Sequence, residues 1–487
     1  MLVLRKIVFY FFVIIYLILC PLTILYALGY LFRPGTGEGI VKTGLIDLST
    51  APPGASVYIG KSRYTEKTPT TLRSLLPGEY PVKLILKHHI PWTQTVPVEA
   101  EKATVLEKIL LLPTAFKHEE LLSGPFQDLI PLPGNHFFLL VQGPDLEDLY
   151  VYDWKEQKGR PLLSSDSPFQ GAKVLSHMTV EESPALLVRV ELKRGEKFLW
   201  VTLSNEETVI EDLTSLFPEK PLWIEWEGRD RNQLFVFQRG SLNRLEIVSK
   251  AIYPKIVSSV RGYGLANKAI YVLRNDNTFE RVDQAGKGTE RFPQNPSLSD
   301  SLSSVRGFLK IKSLSSDTFL FWGERGELLL NRPPYQFVRS GVTGFEIFPQ
   351  TGRLLLWQKN RLGILDVSEE RQREEKIQEG QEPLWIFRKG DKIEQAFWVY
   401  DGSHILFRDR EGVFLIELET YGKPKLYALL RVRKNSAIFY SEESGKLYFL
   451  SVEGDLSSVE LLPREKILQF PFPERKEGKK KSEIQKL

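Results

Sequence analysis

Two different rhythms of apolar and polar residues divide the chain. Residues 7–32 (IVFYFFVIIYLILCPLTILYALGYLF) carry no charged side chain over 26 positions. At 1.5 Å per residue that run makes roughly 39 Å of helix, enough to cross a ~30 Å hydrocarbon core with some tilt. Arg5 and Lys6 precede it, and Arg33 and Lys42 follow it. These nearly even flanks only slightly favour a cytoplasmic N-terminus. A short N-terminal flank before a large body fits a signal-anchor over residues 1–32. A cleaved signal peptide is the rival reading, with Ala27-Leu28-Gly29 as its processing site, although the apolar run exceeds the ~7–15 residues such peptides use. Cys20 reads as a cysteine within the helix, and Pro21 as the source of a mild kink.

Residues 33–43 (RPGTGEGIVKT) read as a flexible linker, because Gly and Pro dominate them. Beyond the linker, short strand-like segments alternate with turn residues. Val82, Leu84 and Leu86 share one face of such a strand. Pro52-Pro53-Gly54, Thr68-Pro69 and Pro77-Gly78 punctuate the series, since Pro presets φ and Gly accepts positive φ. The pattern predicts a compact all-β module over residues 44–113.

The region from Phe137 to about Leu462 repeats one unit: apolar strand, polar turn, second strand. First strands start near Phe137, Leu186, Leu234, Ala269, Phe319, Arg353, His404 and Ala437. Their mean spacing is about 43 residues, within the ~40–45 of propeller blades. Ser258-Ser259-Val260-Arg261-Gly262-Tyr263 recurs as Ser303-Ser304-Val305-Arg306-Gly307-Phe308, and more loosely as Ser340-Gly341-Val342-Thr343-Gly344-Phe345. Pro221-Leu222-Trp223-Ile224 recurs as Pro383-Leu384-Trp385-Ile386, at a spacing of roughly four blades. Sheets arranged around an axis bury each face against a neighbour, so a propeller of seven or eight blades over residues 121–463 is expected. A linear stack of β units is the alternative. Trp223, Trp226, Trp322, Trp357, Trp385 and Trp398 are expected to pack between blades. Residues 366–383 (DVSEERQREEKIQEGQEP) read as a solvated charged insertion.

Two resemblances attach to these motifs. Pro53-Gly54-Ala55-Ser56-Val57-Tyr58-Ile59-Gly60, then Lys67-Thr68-Pro69, then Leu76-Pro77-Gly78-Glu79-Tyr80-Pro81-Val82 resemble the PEGA domain over about residues 44–113. That resemblance implies a small β-sandwich of the kind found on bacterial cell-envelope proteins, with no catalytic residue. One departure stands out: the family's Gly-Tyr pair after the Pro-Gly strand is replaced by Lys87-His88-His89-Ile90-Pro91-Trp92. The segments Phe348-Pro349-Gln350-Thr351-Gly352-Arg353-Leu354-Leu355-Leu356-Trp357 and Tyr400-Asp401-Gly402-Ser403-His404-Ile405-Leu406-Phe407 are similar to blades of WD40-like or other bacterial β-propellers. The Trp-Asp and Gly-His signatures of true WD40 repeats are missing from their usual positions.

Charge and chemistry narrow the function classes. The chain of 487 residues has 65 Lys+Arg against 61 Asp+Glu, a formal charge of +4. Six of the basic residues lie in the last fourteen positions, 474–487, which read as a basic disordered tail. The body is therefore near neutral, which argues against a nucleic-acid partner. One cysteine can form neither an intramolecular disulfide nor a Cys-based zinc site. No GxxxxGK[ST], HExxH or GxSxG occurs, and the six histidines lack ligand spacing. No cofactor or metal is expected. His88 and His89, as neighbours on a strand, would point to opposite faces and chelate one metal poorly. With Trp92 they are instead a candidate recognition edge.

The expected molecule is all-β with one N-terminal transmembrane helix, a PEGA-like sandwich and a propeller. Its expected role is a non-enzymatic, single-pass, extracytoplasmic envelope protein that binds proteins or polysaccharides. The alternative is a propeller enzyme such as a glycan hydrolase, whose chemistry needs two carboxyl groups about 5–10 Å apart.

Overall fold

The computed structural model describes residues 2–27, 29–32, 40–132, 134–179, 183–226, 232–293, 295–332, 335–338, 340–348, 350–367, 383–388, 392–410, 412–418 and 424–461. Most of the linker, most of the charged insertion and the whole basic tail lie outside the described residues. The chain divides into a unit reaching residue 115 and a second beginning at Phe116.

In the first unit, helix α1 spans Leu2–Ala27. Its window Val8–Leu25 has a mean hydropathy of 2.6 and no buried residue, and α1 is long and apolar enough to cross a membrane. Thr23 donates its hydroxyl to the Leu19 carbonyl one turn back (2.6 Å), which satisfies a polar group on this apolar rod.

The β module that follows has two sheets. Gly44–Ala51 lies between Thr70–Leu75, antiparallel, and Ala103–Leu110, parallel. The second sheet runs Ser62–Lys67, Ser56–Ile59, Gly78–Ile85, Trp92–Val98. Ile46, Leu48, Val57, Val82, Leu84 and Trp92 are buried, as the alternation requires. The Thr-Pro motif has a structural task. The buried Thr68 hydroxyl meets the Thr50 hydroxyl (2.6 Å) and accepts the Ala55 N–H (3.0 Å), which ties the Pro-Gly-Ala turn to the strand beside it.

In the second unit, the described strands fall into eight consecutive groups of four. The first strands of these groups are Asp128–Pro131, Lys173–Thr179, Trp223–Glu225, Val260–Ala266, Leu309–Ser313, Val342–Phe348, Gln395–Val399 and Phe439–Ser441. The eighth group is completed from the other end of the region. Glu119–Leu122 pairs antiparallel with Leu456–Glu460 as its outermost strand, so first and last segments share one sheet. Lys446 bridges Glu119 (2.8 Å), and Asp455 accepts the Gly124 N–H (3.0 Å) across the same seam. Phe126, Leu129, Phe138 and Leu140 of the first group pack on Tyr448, Leu450 and Leu456 of the eighth. Apolar clusters likewise join groups one to two, two to three, and onward through six to seven. The region is thus a closed β-propeller and not a linear stack.

The repeats mark definite places in this ring. Two of the three related Val-containing segments open the first strands of groups four and six, whereas Ser303–Phe308 runs from the end of a helix to just before the first strand of group five. The hairpins read from the sequence are second-to-third strand pairs in groups one to seven. The last, near Ala437, instead pairs a first strand with a second, Lys446–Leu450. The Pro-Leu-Trp-Ile repeat is not a blade equivalence. Pro221-Leu222-Trp223-Ile224 opens a first strand, whereas Pro383-Leu384-Trp385-Ile386 opens the outermost strand of group six, Leu384–Arg388. Trp385 covers Gly363 there, and the Arg361 guanidinium lies 3.8 Å from its ring centroid.

Arg261 and Arg306 share a repeat position but not an environment. Arg261 donates to the Leu302 carbonyl (2.8 Å) and to that of Val305, at the end of helix α2 (Pro296–Ser304). Arg306 is exposed.

Candidate functional site

At the junctions of groups six, seven, eight and one, the inner strands bond to their neighbours, which places them nearest the axis. Asp128 of group one accepts the Ala437 N–H of group eight (2.9 Å). Gln395 of group seven accepts the Ile438 N–H (2.9 Å), and Glu346 of group six accepts the Trp398 N–H (2.7 Å). Groups four and five are fused more tightly, because Val260–Ala266 runs parallel to Leu309–Ser313 in one eight-stranded sheet. That approach requires glycine. A β-carbon at Gly262 or Gly264 would collide with the carbonyl oxygen of Leu309 or Ile311.

On the same side of the axis stands a charged and aromatic cluster. Trp223 and Glu225 are two apart on one first strand, and Lys310 and Lys312 are two apart on another, so each pair shares a face. The Lys310 ammonium lies 3.6 Å from the Trp223 ring centroid and 4.9 Å from that of Trp322. Both are cation–π contacts. Glu225 keeps part of its surface accessible, yet protein crowds it closely. Burial pushes its carboxyl up to about 7, against the pull of Lys312, the Leu265 N–H and Lys310. The Trp223 indole N–H also favours the charged form of Glu225, but without hydrogen-bond geometry. Burial lowers Lys310, and Glu225 opposes that shift. This cluster sets a carboxyl raised by burial beside an ammonium held between two indole rings. Sequence reading assigned Trp223 and Trp322 to packing and missed the lysine between them.

On the second strand of group seven, Arg408 is only 3% exposed and donates to the Asp409 carbonyl (3.1 Å). Burial lowers it, while Glu394, Asp128 and Asp409 hold it charged. His404 is 1% exposed beside the Ser403 hydroxyl (2.8 Å), and burial pushes its imidazole down to about 3.

The three residues of the recognition edge expected on the first unit differ in burial. His88 is exposed and His89 half-buried, in the turn between Gly78–Ile85 and Trp92–Val98. Trp92 is 2% exposed and belongs to the core of the module, because its alternation phase is that of Val96 and Val98. His88 has φ 63°, a left-handed conformation that glycine adopts without strain. Holding a histidine in this conformation carries a backbone cost. Among the described residues, no group of three or more His, Cys, Asp or Glu is placed to hold a metal ion.

Residues 43–111 match the PEGA domain. Comparison with curated proteins finds no match. Among solved structures, the chain is similar to the Dos1 propeller at 14% identity and a TM-score of 0.43, covering 72% of this chain and 95% of that one. It is similar to YCF48 bound to D1 peptide at 10% identity and a TM-score of 0.38, covering 72% and 97%. It also resembles PorZ, an essential bacterial surface component of the type-IX secretion system of Porphyromonas gingivalis, at 13% identity and a TM-score of 0.37. That likeness covers 69% of this chain and only 42% of PorZ. A PEGA domain followed by a β-propeller defines the class.

Proposed function

We propose that this protein is a single-pass, membrane-anchored envelope scaffold whose propeller binds a protein or polysaccharide partner outside the cytoplasm. Helix α1 is the anchor, the PEGA domain is a stalk or docking element, and the propeller carries the recognition surface. The observation that carries this reading is how the axial acids are used. Asp128 and Glu346 are committed to backbone N–H groups of neighbouring blades, and Glu225 lies against two lysines. A glycan hydrolase needs one carboxyl as acid and a second as base or nucleophile. Acids that hold the ring together serve binding by keeping the surface rigid.

The test is a pull-down with the full chain in detergent, presented to solubilised cell envelopes. Recovery of a discrete protein or polymer, unmodified, is expected. Release of shortened glycan would establish the hydrolase reading instead, and recovery of nothing would remove the scaffold reading.

A further inference from the structure

Groups two and three meet differently from the pairs joined across the axis. Among the described residues, no hydrogen bond joins their first strands; an apolar cluster does so instead, and Gln238 of group three reaches only the connecting segment, donating to the Glu219 carbonyl (2.7 Å). At this junction lies a cavity of about 220 Å³, walled by Met178 and Leu187 of group two and by Trp223 at the start of group three. Ser176 and Arg189 line it beside these apolar residues, and Leu222 stands at its edge, 72% exposed.

The strand register explains the arrangement. Ser176, Arg189 and Phe198 form one cross-strand row, and Met178, Leu187 and Trp200 the next. A polar row therefore sits directly beside an apolar one. Arg189 has no hydrogen-bond partner among the described residues. Its Nε is buried and unpaired, and its closest acid, Glu196, is 3.9 Å away. A guanidinium left in this state favours an anion that completes it.

We propose that this cavity receives the carboxy-terminal residue of a partner polypeptide, with an apolar side chain inside and the terminal carboxylate on Arg189. The proposal rests on reading the propeller as a recognition surface and names one class of partner for it. A monoanion suits the site better than a phosphate dianion, because Glu196 offsets part of the single positive charge. A peptide suits it better than a free small acid, because the exposed Leu222 side chain offers apolar contact outside the cavity.

The test uses the full chain in detergent and calorimetric titration with acetyl-Gly-Gly-Leu bearing a free carboxylate, its carboxamide, and 4-methylpentanoate. The free-acid peptide should bind saturably, with the amide weaker by about tenfold or more. Arg189→Gln should weaken the acid to the level of the amide. Leu222→Asp, at an exposed position, should weaken it with the melting temperature unchanged, and it decides the matter if Arg189→Gln fails to fold. Equal binding of acid and amide, or no saturation by either, overturns the proposal. Binding of 4-methylpentanoate as tight as the peptide overturns the polypeptide assignment in favour of a free acid. If these probes fail while the pull-down still recovers a partner, only this site is lost and the scaffold reading stands.

Discussion

His404 makes stability depend on acid in a way its sequence position does not announce. The unfolded chain takes up a proton at this imidazole near pH 6.5, whereas the folded chain refuses it until about 3. Stability from this residue is complete above the unfolded value and is lost as pH falls below it, by about 2 kcal/mol at pH 5. Glu225 works in the opposite sense. Its carboxyl, raised to about 7, costs stability as pH rises from the unfolded value of 4.5. Only a comparison with His404→Phe separates the two. Between pH 7.5 and 5.0 the variant should lose about 2 kcal/mol less in denaturant unfolding than the natural chain; equal losses would clear His404. Gly264 is the sharper case, because an added methyl meets the Ile311 backbone and no flexible side chain. Gly264→Ala should cost about 3 kcal/mol or more, read from the same unfolding curves, whereas Gly171→Ala, where no atom approaches, should cost only its positive-φ strain of ~1 kcal/mol. Equal effects would mean that the fused strands are free to separate.

The strands were the most legible elements, because apolar runs with turn residues at regular spacing survive in any single sequence. The phase of the repeat was harder to read. Second strands such as Phe137–Val141 and Ala185–Leu192 are the most apolar in their groups, so they dominate the pattern. First strands such as Asp128–Pro131 and Lys173–Thr179 carry the polar residues that face or stitch the axis. Trp385 misled for a related reason: a tryptophan laid over a glycine looks the same on an outer strand as on an inner one. Glu119–Leu122 had no partner visible nearby, since its mate is more than 330 residues away. It should nevertheless matter greatly. Starting the chain at residue 125 would leave the eighth group with three strands and an open edge, and the melting temperature should fall by several degrees with broadening. An unchanged transition would show that the seam is ornamental. Glu119→Gln alone should cost under ~1 kcal/mol, because its ion pair is half-exposed.

For the molecule as a whole, the location of the charged axial cluster was beyond sequence reading. Glu225 and Lys310 are 85 positions apart and meet only because separate blades converge on one axis. The apolar helix and the PEGA module were plain because each is local: a continuous apolar run and an ordered set of turn motifs. The ring-closing strand has a temporal consequence. Its two halves leave the ribosome far apart, so residues 119–122 wait for nearly the entire propeller to be made before they find a mate. Throughout that interval the growing chain offers an unpaired strand and uncovered sheet faces, conditions that invite misassembly. A nonsense codon anywhere before residue 456 would leave every copy permanently unzipped, so the cell receives either a finished ring or a substrate for proteolysis.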